Sequence, residues 1–142
     1  MIRRSIILGT ISGTVLGSFM WVIERIINVK VYTLLMNVDF IPFFEGKSLS
    51  PVIEWFFHLL IAWLIAYIYF LLPSSLSRRQ QIVTAFLISI AAAFSYFPLT
   101  LLAKKDTPAI DDFTAITLWF LGHLIYGLVL FTCGNRNYTT KN

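Results

Sequence analysis

Apolar positions along the chain gather into four long blocks, 5–27, 54–72, 81–103 and 113–133, and most of the charge lies between them. Each block is close to the 20 or so residues a helix needs to cross the hydrocarbon core of a bilayer. Small and polar residues inside the blocks recur at helical spacing rather than alternating, so the pattern predicts helices. In the first block Ser5, Gly9, Gly13 and Gly17 stand at every fourth position. That spacing lines them up as one groove along a helix. In lipid such a groove lets a second backbone pack closely. Glu24, seven residues after Gly17, falls on the same side. A carboxylate there is expected to turn toward protein rather than acyl chains.

The second block repeats Glu54, His58, Ala62 and Ala66 at four-residue intervals, and Tyr69 returns to the same face. Pro51 and Pro73 bound it, and 73–80 reads as a compact polar turn. The third block carries a ridge of Ala85, Ser89 and Ala93, with Tyr96 two turns beyond Ser89 and Pro98 placed to kink the helix. Asp111 and Asp112 precede the fourth block, where carboxylates suit a helix N-terminus. Gly134 and Asn135 follow it as stops, and 138–142 reads as a fraying polar tail. The first connection, 28–51, is too apolar for a free loop and too interrupted for a span. Residues 31–36 suit a short interfacial helix, with Phe40, Ile41, Phe43 and Phe44 around Pro42 at headgroup level. It reads as a partly buried connector capping the bundle, or alternatively as a lid over a polar site. The expected fold is all-α: a polytopic membrane protein forming one domain over 1–142, a four-transmembrane-helix bundle with a longer first extracytoplasmic loop.

Composition sharpens this class. The chain is 58% hydrophobic and only 13% charged, where a globular chain carries about a quarter charged residues. Cys133 is the only cysteine, so no disulfide can form within the chain. A net charge of +4 raises nucleic acid as a partner, but no basic stripe with interleaved aromatics occurs in a polar segment. The first block follows Arg3 and Arg4 as a signal peptide would, yet it exceeds the roughly 7–15 residues of a signal core and lacks a small-x-small cleavage site. It reads as a retained span. Four spans put both termini on one side, with six Lys/Arg there against five on the other. The Arg3-Arg4 start and the Arg78-Arg79 turn favour that side being the cytoplasm. The expected location is a bacterial inner membrane.

Ionisable groups within or beside the blocks are Glu24, Arg25, Glu54, His58 and His123. On this topology Glu24 and His58 fall at shallow depth near the outer side, while His123 lies near the middle of its span. An intramembrane ionisable residue is a functional candidate by default. A neutral histidine also serves as an interhelical hydrogen-bond partner, and both readings stay open. Glu24, His58, His123 and Tyr126 are the expected polar cluster inside the bundle, the Tyr126 hydroxyl orienting the His123 imidazole. The expected packing residues are Gly9, Gly13, Gly17, Ala62, Ala66, Ser89, Gly122 and Gly127. No metal or other cofactor is expected: His58, His123 and one of Glu24 or Glu54 exhaust the ligands available to zinc, and the paired Glu-x-x-His of di-iron bundles is absent. Neither Gly-x-Ser-x-Gly nor a phosphate-binding glycine loop occurs outside a span.

The run Gly122-His123-Leu124-Ile125-Tyr126-Gly127 is the most distinctive short motif. Together with Gly9, Gly13 and Glu24 in the first block and His58 in the second, it resembles the YagU-type family of small bacterial inner-membrane proteins. The chain departs from that pattern where a basic residue is expected inside the first span, which here reads SFMW, and where an acidic residue is expected ahead of Gly122-His123, which here reads LW. The resemblance implies a small multi-pass protein, with a link to acid tolerance in some members. The leading expectation is a non-enzymatic membrane protein of structural, stress-response or partner-binding type, its partners the bilayer and a second copy or another membrane protein. A homo-oligomeric transporter or channel for protons or cations is the alternative, and a membrane enzyme acting on lipid is the third.

Overall fold

The computed structural model describes residues 1–44, 49–72 and 75–134, all helix, turn or irregular chain with no strand among them. Six α-helices follow one another: α1 (Ile2–Ile27), α2 (Val31–Leu35), α3 (Pro51–Leu71), α4 (Arg78–Ala93), α5 (Tyr96–Leu102) and α6 (Phe113–Cys133). A 3₁₀ turn lies at Pro42–Phe44. Four segments are long and apolar enough to cross a membrane: α1, α3, the broken pair α4–α5 spanning Arg78–Leu102, and α6.

Three of the four begin three residues before the apolar blocks do, for local reasons. Arg3 and Arg4 are themselves helical in α1. Pro51 opens α3 in its first turn, where its missing N–H costs nothing. At α4, Ser77 and Gln80 form a reciprocal capping box: Gln80 N donates to Ser77 Oγ (3.3 Å) and Ser77 N to Gln80 Oε1 (2.9 Å). The expected polar turn at 73–80 therefore ends in a helix start. Pro73, Asn135 and the 138–142 tail lie outside the described residues.

Pro98 breaks the third segment as expected, and the break is displaced toward the N-terminus. Phe94 and Ser95 form a turn between α4 and α5. Pro98 has no N–H to offer the Phe94 carbonyl and its ring crowds that oxygen. Phe97 N reaches Phe94 O instead, at 3.4 Å. α1 stops differently: Asn28 takes the left-handed conformation (φ 60°, ψ 29°) and donates its N–H to Glu24 O.

The helices pack in the order α3–α1–α6–α4, with α3 and α4 in limited mutual contact. α1 and α6 are therefore the inner pair and the more buried of the four segments. The glycine groove of α1 is turned to α3. A Cβ at Gly9 would lie 2.7 Å from Ala62 O and Trp63 Cα, one at Gly13 would meet Ala62 Cβ at 2.8 Å, and one at Gly17 would meet Trp55 Cη2 at 2.5 Å. Ala62 and Ala66 are buried. On α6, Gly122 admits Met20 and Leu16 of α1, while Gly127 admits Ser89 and Phe86 of α4. The expected packing residues thus serve three different helix contacts.

The 28–50 connector contributes core of its own. Val31, Leu34, Met36 and Val38 are buried, α2 forms within the expected 31–36, and Phe43 at the 3₁₀ turn is exposed.

Candidate functional site

The two histidines sit at similar levels of α1 but are held separately. His58, on α3, donates Nε2–H to the Gly13 carbonyl at 2.9 Å, and its ring stands edge-on to Trp55. Gly13 and Gly17 leave that helix carbonyl open to a side chain from the neighbouring helix. One turn away, Trp63 Nε1 donates to Thr10 Oγ1 (2.9 Å) across the same interface. His123, on α6, donates Nδ1–H to the Trp119 carbonyl one turn back in its own helix (2.8 Å), and its ring lies 5.0 Å from that of Trp119. The Trp119 indole in turn donates to Ala93 O at the end of α4 (2.9 Å). Ser89 closes the same contact by bonding the His123 carbonyl.

Tyr126 is buried, with its hydroxyl set against Ser12 of α1, whose own hydrogen goes to Leu8 O (2.8 Å). The imidazole of His123 is thus oriented by Trp119 rather than by Tyr126. The Trp119 carbonyl is presented by the same helix one turn back.

Glu24 corrects the expected cluster. It does face protein, but its partner is Thr33, whose N–H and hydroxyl bond its two oxygens at 2.8 and 2.7 Å. It thereby holds the first turn of α2. Gly13, where His58 bonds, is eleven residues back along α1, or roughly 16 Å of helix. His58 and Glu24 therefore lie at different levels along α1, with Glu24 held by the connector.

The end of the bundle that carries the 28–50 connector is instead a cap tied by carboxylates. Asp39, nearly buried, accepts from Lys104 N (3.2 and 3.1 Å), Lys105 N (2.7 Å) and Asn37 Nδ2 (2.8 Å). Glu54 pairs with Lys105 Nζ at 2.5 Å, and Lys30 pairs with Asp106. Tyr96 Oη donates to Ala109 O (2.7 Å), and Asp112 caps α6 through Ala115 N (3.0 Å). Asp39 went unnoticed in the sequence. The signal was present in Asn37-x-Asp39, a polar pair within an otherwise apolar connector that needs donors.

A cleft of about 450 Å³ opens beside this cap, lined by Trp21, Glu24, Arg25, Asn28, Tyr32 and Thr33. Among the described residues no three His, Cys, Asp or Glu side chains gather as metal ligands would.

Fold and site together define an all-helical protein with four helices long and apolar enough to cross a membrane, closed at one end by a polar cap. No protein-family model, curated protein or solved structure matches the chain.

Proposed function

We propose that the chain is a multi-pass integral membrane protein of a bacterial inner membrane, with both ends cytoplasmic and the cap on the outer side. It acts without catalysis, as a structural or partner-binding component in the manner its resemblance to the YagU-type family implies. One observation carries the bilayer reading: every long helix keeps an exposed apolar face, including Ile11 and Ile26 on α1, Val52 and Leu64 on α3, Leu87 on α4 and Leu128 on α6. Soluble monomers rarely expose contiguous apolar patches beyond a few hundred Å², and apolar faces on all the long helices suit lipid instead.

The non-catalytic reading is supported by where the polar side chains of the helices go. His58, His123, Ser12, Ser89 and Trp119 each spend a hydrogen on a backbone carbonyl. Three of these bonds, those of His58, Ser89 and Trp119, fasten one helix to another, the other two stay within their own helix, and none leaves a nucleophile and base directed at a common point.

The test combines extraction and labelling. The protein should stay in the membrane pellet under alkaline carbonate. Cys133, exposed at the end of α6, should react with a membrane-impermeant maleimide only after permeabilisation. An Asp106→Cys, Cys133→Ser variant should react in intact cells. Release by carbonate, or labelling of both positions from one side, would overturn the reading.

A further inference from the structure

We propose that the cleft between the end of α1 and α2 binds the headgroup of a zwitterionic phospholipid, with Arg25 and Tyr32 on the phosphate and Glu24 on the amine. The inference rests on the bilayer reading and goes beyond it.

Depth comes first. α1 has 26 residues, about 39 Å of helix against a hydrocarbon core of about 30 Å. Its ends therefore project into the headgroup layers, with Arg3 and Arg4 at one and Glu24 and Arg25 at the other. Trp21 and Tyr32 line the cleft beside them, and such aromatic rings favour that level.

Charge comes second. Glu24 and Arg25 are adjacent and opposite, yet they form no ion pair with each other or with other described residues. Each is held in place by something else. Thr33 fixes the carboxylate through both oxygens, and the guanidinium lies 5.3 Å over the Trp21 ring. The Tyr32 hydroxyl accepts from Trp55 Nε1 at 2.8 Å, which locks the phenol and leaves its own hydrogen free to donate. Among the lining side chains Arg25 and Tyr32 thus offer donors, suited to a phosphate. Glu24 offers the second lone pairs of its carboxylate, suited to an ammonium. A separated cation and anion match a zwitterion better than an anionic headgroup, which the carboxylate would repel.

Native mass spectrometry of the detergent-solubilised protein tests this, with phosphatidylethanolamine and phosphatidylglycerol of the same acyl chains offered at equal amounts. Wild-type protein should retain the ethanolamine lipid preferentially. Arg25→Gln should lower its occupancy about tenfold, as expected for losing one charge-assisted bond. Glu24→Gln keeps an acceptor for Thr33 and should turn the preference toward the glycerol lipid. Equal retention of both lipids by the wild type, or retention unchanged in Arg25→Gln, would overturn the proposal. So would equal protection of the site by millimolar soluble phosphoethanolamine, which would assign it to a free metabolite. Failure of the bilayer reading itself would show separately, as release of the protein by carbonate.

Discussion

Gly9→Ala isolates what the groove of α1 contributes. The added methyl would stand 2.7 Å from Ala62 O and Trp63 Cα and 2.8 Å from Ala62 C, all backbone atoms of α3. None can rotate aside, so the two helices must separate by about 0.7 Å to reach ordinary contact near 3.4 Å. Both bonds across that interface, His58 to Gly13 and Trp63 to Thr10, are 2.9 Å long and would be stretched out of range. Overpacking costs about 1–3 kcal/mol and each interhelical bond about 0.6 kcal/mol. Against this, Ala gains about 0.5–1 kcal/mol over Gly within a helix. The net expectation is a loss of about 1–4 kcal/mol. Gly122→Ala is the control. Its closest neighbour, Met20 Cε, is nearer still, but that is the end of a flexible chain that can swing away. It should be close to neutral. Unfolding of both variants by titrating a denaturing detergent into mixed micelles gives the two free energies, with tryptophan fluorescence as the signal. In a Trp63→Phe background, where the bond to Thr10 is already missing, Gly9→Ala should cost less than in the wild type. A Gly9→Ala loss no larger than that of Gly122→Ala would refute the reasoning.

Asp39→Ala should loosen the cap, because two loop amides, those of Lys104 and Lys105, lose their acceptor. The expected cost is about 2–4 kcal/mol, seen as faster hydrogen exchange over 31–39 and 103–107 with the helix centres unchanged. Asp39→Asn, which keeps one acceptor oxygen, should fall between. At His58, Gln can still donate to the Gly13 carbonyl and should be tolerated. Phe should lose about 1 kcal/mol, and Glu should lose more than Phe, read in the same unfolding titration.

The four long helices were legible because hydrophobic blocks of that length have few alternatives. The groove of α1 was equally legible, since Ser5, Gly9, Gly13 and Gly17 share one face whatever the tertiary structure. The neighbour filling it, and the separate duties of Gly122 and Gly127 toward α1 and α4, were not. Periodicity gives the direction of a side chain and says nothing of what stands opposite. Glu24 shows the limit well. The helical wheel turned it toward protein, correctly, but its partner lies in the connector, at a level fixed by how α2 folds back on α1. Asp39 is harder still: its main donors are backbone amides 65 and 66 residues away, and a backbone amide carries no residue signature.

One rule nonetheless sorts the polar groups, and it follows from the helix itself. Inside a helix every N–H is already committed, whereas each carbonyl keeps a second lone pair. A side chain packed against mid-helix backbone must therefore be a donor. His58, His123, Ser12, Ser89 and Trp119 all are. A carboxylate only accepts, so it must go where N–H groups are orphaned, at helix starts and in loops. Glu24 on Thr33 N, Asp39 on Lys104 N and Lys105 N, and Asp112 on Ala115 N obey this without exception. The donors His58, Ser89 and Trp119 thus join one helix to the next through carbonyl oxygens, while the acids build the cap on orphaned N–H groups.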